Sequence, residues 1–86
     1  MSKKIALVTG GATGIGAAVC TELANQDIQV AVCDINQVTG ESLAKKIGAE
    51  FIECDVTSLA SVQGAVKVCV AKLGVPNYVH LNAGIM

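Results

Sequence analysis

Along the chain, unbroken apolar runs alternate with stretches in which apolar residues recur at helical spacing. Ile5-Ala6-Leu7-Val8 is a short continuous run, the signature of a strand buried on both faces. From about Gly14 the apolar positions spread out to Ile15, Ala18, Val19 and Leu23, which predicts a helix. Ile28–Cys33 is a second strand-like run, ending at Asp34. Val38, Leu43, Ala44 and Ile47 predict a second helix, with Gly48 as its stop. Phe51–Cys54 reads as a short third strand. A third helix runs from about Ser58 to Leu73, with Leu59, Val62, Val66, Cys69 and Leu73 on one face. Thr57 or Ser58 would cap it, and Gly74-Val75-Pro76 would end it. Asn77–Leu81 is a fourth strand.

The order β-α-β-α-β-α-β places the chain in the α/β class with a parallel sheet. Right-handed crossovers put the first two helices on one face. If the fourth strand lies beside the first, the third helix covers the other face and the strand order is 3-2-1-4. That is half of a doubly wound sheet. No linker, repeat or low-complexity tract divides residues 1–86, so they are expected to form one unit.

Composition changes this picture in one respect. The chain is 52% apolar and 15% charged, against a usual charged fraction of ~25%. So much apolar surface on 86 residues predicts a partner, a second copy or further residues, with a homo-oligomer as the expectation. A net charge of -1, with no basic stripe or aromatic ladder, argues against nucleic acid. No long apolar run and no signal-peptide layout occur, so a soluble cytoplasmic protein without membrane contact is expected. Cys20, Cys33, Cys54 and Cys69 form no C-x-x-C pair and read as buried reduced thiols rather than a metal site.

Candidate chemistry sits at the strand ends. Thr9-Gly10-Gly11-Ala12-Thr13-Gly14-Ile15-Gly16 joins the first strand to the first helix. Glycines there permit a tight turn and a close backbone approach. The N–H groups and dipole of the following helix suit a pyrophosphate. Gly10, Ala12, Thr13, Gly14, Ile15 and Gly16 are therefore candidate cofactor contacts; the competing reading is a glycine turn without a ligand. Asp34, at the end of the second strand and beside Ile35, is placed to accept from both hydroxyls of an adenosine ribose. It would repel a 2′-phosphate, and no Lys or Arg lies in the turn or beside Asp34, which favours NAD over NADP. The alternative is a helix cap. Asp55-Val56 follows the third strand and could meet adenine through the carboxylate and the Val56 N–H; the alternative is a carboxylate favoured by the third helix's dipole. Asn82-Ala83-Gly84 follows the fourth strand, and small residues there would let the backbone approach a ribose, unless it is an ordinary turn.

Together these residues resemble the classical short-chain dehydrogenase/reductase family. That family carries Thr-Gly-x-x-x-Gly-Ile-Gly after strand one, an acidic residue ending strand two in NAD users, Asp-Val after strand three and Asn-Asn-Ala-Gly after strand four. The corresponding residues here are Thr9 to Gly16, Asp34, Asp55-Val56 and Leu81-Asn82-Ala83-Gly84. Leu81 replaces the first Asn. The resemblance covers essentially the whole chain and implies a Rossmann half-domain that binds NAD, the cofactor-binding part of an alcohol/ketone oxidoreductase. The family's catalytic Ser, Tyr-x-x-x-Lys pair and assisting Asn lie beyond strand four. Tyr78 does not substitute, because Asn82 follows it at the Lys position; Tyr78 reads as a half-buried core residue and His80 as a strand residue. No catalytic residue is therefore assigned, and the chain alone is expected to be inactive. Two other readings stand beside this one: a non-catalytic, self-assembling half-Rossmann module with strand four as a free edge, and a phosphate turn serving a flavin or a nucleoside sugar.

Overall fold

A computed structural model of the chain describes residues 3–10 and 14–81. Its elements are β1 (Ile5–Thr9), α1 (Gly14–Asn25), β2 (Gln29–Asp34), α2 (Gln37–Ile47), β3 (Glu50–Glu53), α3 (Leu59–Lys72) and β4 (Tyr78–Leu81). All pairings are parallel and the order is β3-β2-β1-β4. The half of a doubly wound sheet expected from the apolar runs is what forms.

Alternation along β1 and β2 divides the core between two faces. Ile5, Leu7, Ala31, Cys33 and Ile52 pack with Ala65 and Cys69 of α3. Val8, Val30 and Val32 face the other way, onto Cys20 of α1 and Ala44 of α2. The first two helices thus share one face and the third covers the other. Leu7 and Val8 are fully buried, each stabilising the fold by about 1.5–3 kcal/mol.

Several sequence expectations need correction in detail. Val38 is 82% exposed and Leu59 72%. The inward stripe of α2 is Gly40, Leu43, Ala44 and Ile47, and Val38 lies about 200° round the helix from Gly40. Leu59 has the right rotation but is the first residue of α3, at the edge where the strands end. On α1 the buried positions are Gly16 and Cys20, not Ile15 or Ala18, which are exposed. Tyr78 is a strand residue, yet it is 46% exposed, because β1 is the only strand paired with β4 among the described residues.

The connections are closed by specific groups. Gly48 ends α2 in the left-handed conformation with φ 73°, as its position predicts. Gly40 has no room for a side chain, since a Cβ there would overlap the Phe51 ring. Asn77 anchors the start of β1: its Oδ1 accepts from the Ile5 N–H at 2.9 Å and its own N–H donates to the Ile5 carbonyl at 2.7 Å.

Candidate functional site

In a parallel sheet every strand ends at the same edge, and the register ranks those ends. Thr9 is level with Cys33 on β2 and Leu81 on β4. Asp34 is level with Glu53 on β3. The glycine turn therefore leaves the middle of the edge, with Asp34 one strand away and Asp55 just past the end of the strand beyond. β4, which ends at Leu81, lies on the other side of β1. This is the crevice position at which open α/β sheets hold ligands.

Gly10 and Gly14 both have positive φ, 63° and 58°, in the left-handed region that a Cβ disfavours. Space in front of Gly14 is open, so the glycine is required by the backbone and not by crowding. Ile15 stands exposed at the start of α1, while Gly16 is buried against the sheet. Ala12 and Thr13 lie outside the described residues, as do Asn82, Ala83 and Gly84.

Asp34 closes β2 in a side-chain turn: its Oδ1 accepts from the Asn36 N–H at 2.9 Å. Asp34 does not cap α2. Asn36 does, accepting from the Thr39 N–H at 3.1 Å. Ile35, between them, is 63% exposed.

Asp55 repeats the device two residues beyond β3. Its Oδ1 accepts from the Thr57 N–H at 3.0 Å and from the Thr57 hydroxyl at 2.7 Å. These two bonds, hydroxyl first, hold the Asp55 carboxyl below its usual range. The cap of α3 is Ser58, which accepts from the Ser61 N–H at 3.2 Å, and the first turn of α3 contains no acidic residue. Val56, next to Asp55, is 42% exposed. The ends of β2 and β3 therefore both present a carboxylate and an exposed β-branched side chain.

Sequence reasoning missed the partners of these carboxylates. Thr57 was legible only as a possible cap, although Asp-x-Thr is a known turn signal. Thr9 was read as part of the glycine motif; it is buried, and its hydroxyl donates to the His80 carbonyl at 3.4 Å, tying β1 to β4. The Lys4 ammonium lies 3.3 Å from the Tyr78 hydroxyl. That contact sits at the opposite, amino edge of the sheet, since Tyr78 is level with Ala6, and is not part of the site.

Burial pushes the thiols up, Cys20 to about 11 and Cys33 to about 12, so both are protonated and unreactive at neutral pH. Among the described residues no group of His, Cys, Asp and Glu could hold a metal ion. None of the described helices is long and apolar enough to cross a membrane. An open cleft of about 720 Å³ lies elsewhere, between α2 and the β3 edge, lined by Val38, Glu41, Lys45, Phe51 and Lys72 among others. It contains none of the expected cofactor residues.

A family model described as short chain dehydrogenase matches residues 4–86. Short-chain dehydrogenase reductase 4 of Arabidopsis thaliana is 40% identical over 86 residues, spanning 96% of this chain and 29% of that protein. An actinorhodin polyketide ketoreductase solved with NADPH superposes with a TM-score of 0.91 at 27% identity, covering 99% of this chain and 36% of that one. A 3-ketoacyl-(acyl-carrier-protein) reductase from Brucella melitensis, complexed with NADH, gives 0.87 at 28% identity, covering 91% and 33%. The chain spans about one third of the length of the curated relatives it matches.

Proposed function

The chain belongs to the short-chain dehydrogenase family, and from that premise we propose that residues 1–86 are one NAD-binding half-domain. Neighbours solved with NADPH and with NADH share the fold, so the backbone alone does not choose between the cofactors. The supporting observation is that both helices following the acidic turns are capped by other residues, Asn36 and Ser58. Capping therefore accounts for neither Asp34 nor Asp55, and both stand at the edge where the glycine turn opens.

In this reading Gly10, Ala12, Thr13, Gly14, Ile15 and Gly16 surround the pyrophosphate, which the amino end of α1 attracts. Asp34 accepts from the adenosine ribose hydroxyls, and its charge excludes a 2′-phosphate. Ile35 and Val56 flank the adenine, whose amino group donates to Asp55. Asn82-Ala83-Gly84 lets the backbone approach the second ribose. When bound, the nicotinamide supplies hydride chemistry. A full-length member of the family would interconvert an alcohol and a ketone, and residues 1–86, in which no Tyr-x-x-x-Lys occurs, would hold the cofactor for it. Four buried unpaired thiols fit a reducing, cytoplasmic setting.

A second reading, the self-assembling module, is favoured by the β4 edge. Val79 on that strand is 54% exposed, an apolar edge suited to a homo-oligomer. Calorimetric titration of the chain with NAD and NADP tests the first reading. Saturable NAD binding, with NADP ~10-fold weaker or worse, is expected. Equal affinities would remove the assigned role of Asp34. No binding by a folded chain would leave the assembly reading.

A further inference from the structure

We propose that Thr57 is the positioning residue for adenine recognition, fixing the Asp55 carboxylate through its hydroxyl. The inference rests on the NAD-binding reading above. Both Thr57 bonds, from the N–H and the Oγ1, fall on the same oxygen, Oδ1 of Asp55. The acceptor capacity of Oδ2 is not spent within the turn, and a carboxylate pinned at one oxygen presents the other at a set angle. An amino group approaching Oδ2 then meets an acceptor whose rotamer freedom has already been lost, which is how preorganisation adds affinity and selectivity.

The backbone of the turn does not depend on that hydroxyl. The Asp55 N–H donates to the Ser61 Oγ at 2.9 Å, and the Ser58 N–H donates to the Asp55 carbonyl at 3.0 Å. These bonds seat the turn on the first turn of α3 from both sides. Asp55 is also half-exposed, so the hydroxyl bond is not needed to bury a charge. Asn36, the counterpart of Thr57 in the Asp34 turn, supplies only its N–H; its side chain is engaged with the Thr39 N–H. The extra bond in the Asp55 turn thus acts on the direction of one carboxylate and on little else.

The test compares the chain with Thr57→Val, which exchanges the hydroxyl for a methyl, and Thr57→Ser, which retains it. The probes are NAD and the dinucleotide carrying hypoxanthine in place of adenine, which lacks the amino group. The unaltered chain is expected to prefer NAD, and Thr57→Val to reduce that preference ~3- to 10-fold, the size of one oriented charge-assisted bond. Affinity for the hypoxanthine dinucleotide should stay nearly constant, and Thr57→Ser should restore the preference. A carbon-detected NMR titration of the Asp55 carboxyl, without ligand, should show its midpoint rising in Thr57→Val and returning in Thr57→Ser. An equal loss for both dinucleotides would make Thr57 merely structural and overturn the proposal. So would an unchanged preference, or an unmoved Asp55 midpoint. If the unaltered chain ignores NAD, the binding reading itself fails and the adenine role falls with it; NAD bound with an unchanged preference sinks the Thr57 role alone.

Discussion

After β2 the chain reads Asp34-Ile35-Asn36, and after β3 it reads Asp55-Val56-Thr57. In each triplet the aspartate accepts from the N–H two residues on, at 2.9 and 3.0 Å. In each, the middle residue is an exposed β-branched apolar one, and a helix capped by another residue follows. The difference is in the third residue. Asn36 turns its side chain to its helix, whereas Thr57 turns its hydroxyl back to the carboxylate. One turn therefore couples the carboxylate to the helix through the backbone of its capping residue. The other separates the tasks, with Ser58 capping and Thr57 orienting. Two strand-end carboxylates can thus share a backbone device and still be tuned independently.

This contrast can be broken from either side. The largest effect is expected from Asp34→Ala: under the proposed function it removes the acceptor for the ribose hydroxyls, so NAD binding should weaken by about 2–3 kcal/mol, as read by calorimetric titration, beyond any loss of stability that a thermal scan shows from the missing bond to the Asn36 N–H. Next is Gly40→Val. Its branched side chain would meet the Phe51 ring and displace α2, the helix behind the Asp34 turn. A loss of about 1–3 kcal/mol of folding stability is expected, measured by urea unfolding, with the Asp55 turn retaining its amide shifts. Asn36→Ala and Ser58→Ala each remove one cap and should each cost about 1 kcal/mol. Asn36→Ala keeps the N–H that Asp34 uses, and Ser58→Ala leaves the Thr57 bonds to Asp55 in place, so NAD affinity in either variant should change less than in Asp34→Ala. The smallest effect is at acid pH. The Asp55 carboxyl is held below its ordinary 3.8, so its contribution to stability is present above that value and is lost as pH falls through the lower folded value. Thr57→Val should flatten that part of an acid-unfolding profile, while Asn36→Ala leaves it in place.

Much of the fold was legible in the residues. The near-continuous apolar runs at Ile5–Val8 and Ile28–Cys33 read as strands covered on both faces, and the helices between them called for parallel order. Legibility failed where burial depends on what lies beneath a residue rather than on its own period. Val38 and Leu59 are apolar at plausible helical positions but have no sheet under them, and Tyr78 stands on a strand paired on one side among the described residues. At the site, the carboxylates were visible because strand-end acids have a known use. Their partners were not, because Asn36 and Thr57 are residues that commonly serve turns and caps, and which role each takes is settled only by the angle at which the chain leaves the strand.

Under the proposed function the strand-end edge, and not the cleft beside β3, holds the cofactor. The most direct test is to follow backbone amide shifts of isotope-labelled chain during titration with NAD. The expected result is a saturable set of shifts at Gly10, Gly14, Asp34, Ile35, Val56 and Thr57, much reduced with NADP. Shifts confined to Glu41, Lys45 and Phe51 around the cleft, or no saturable shifts in a folded chain, would rule out the strand-end site.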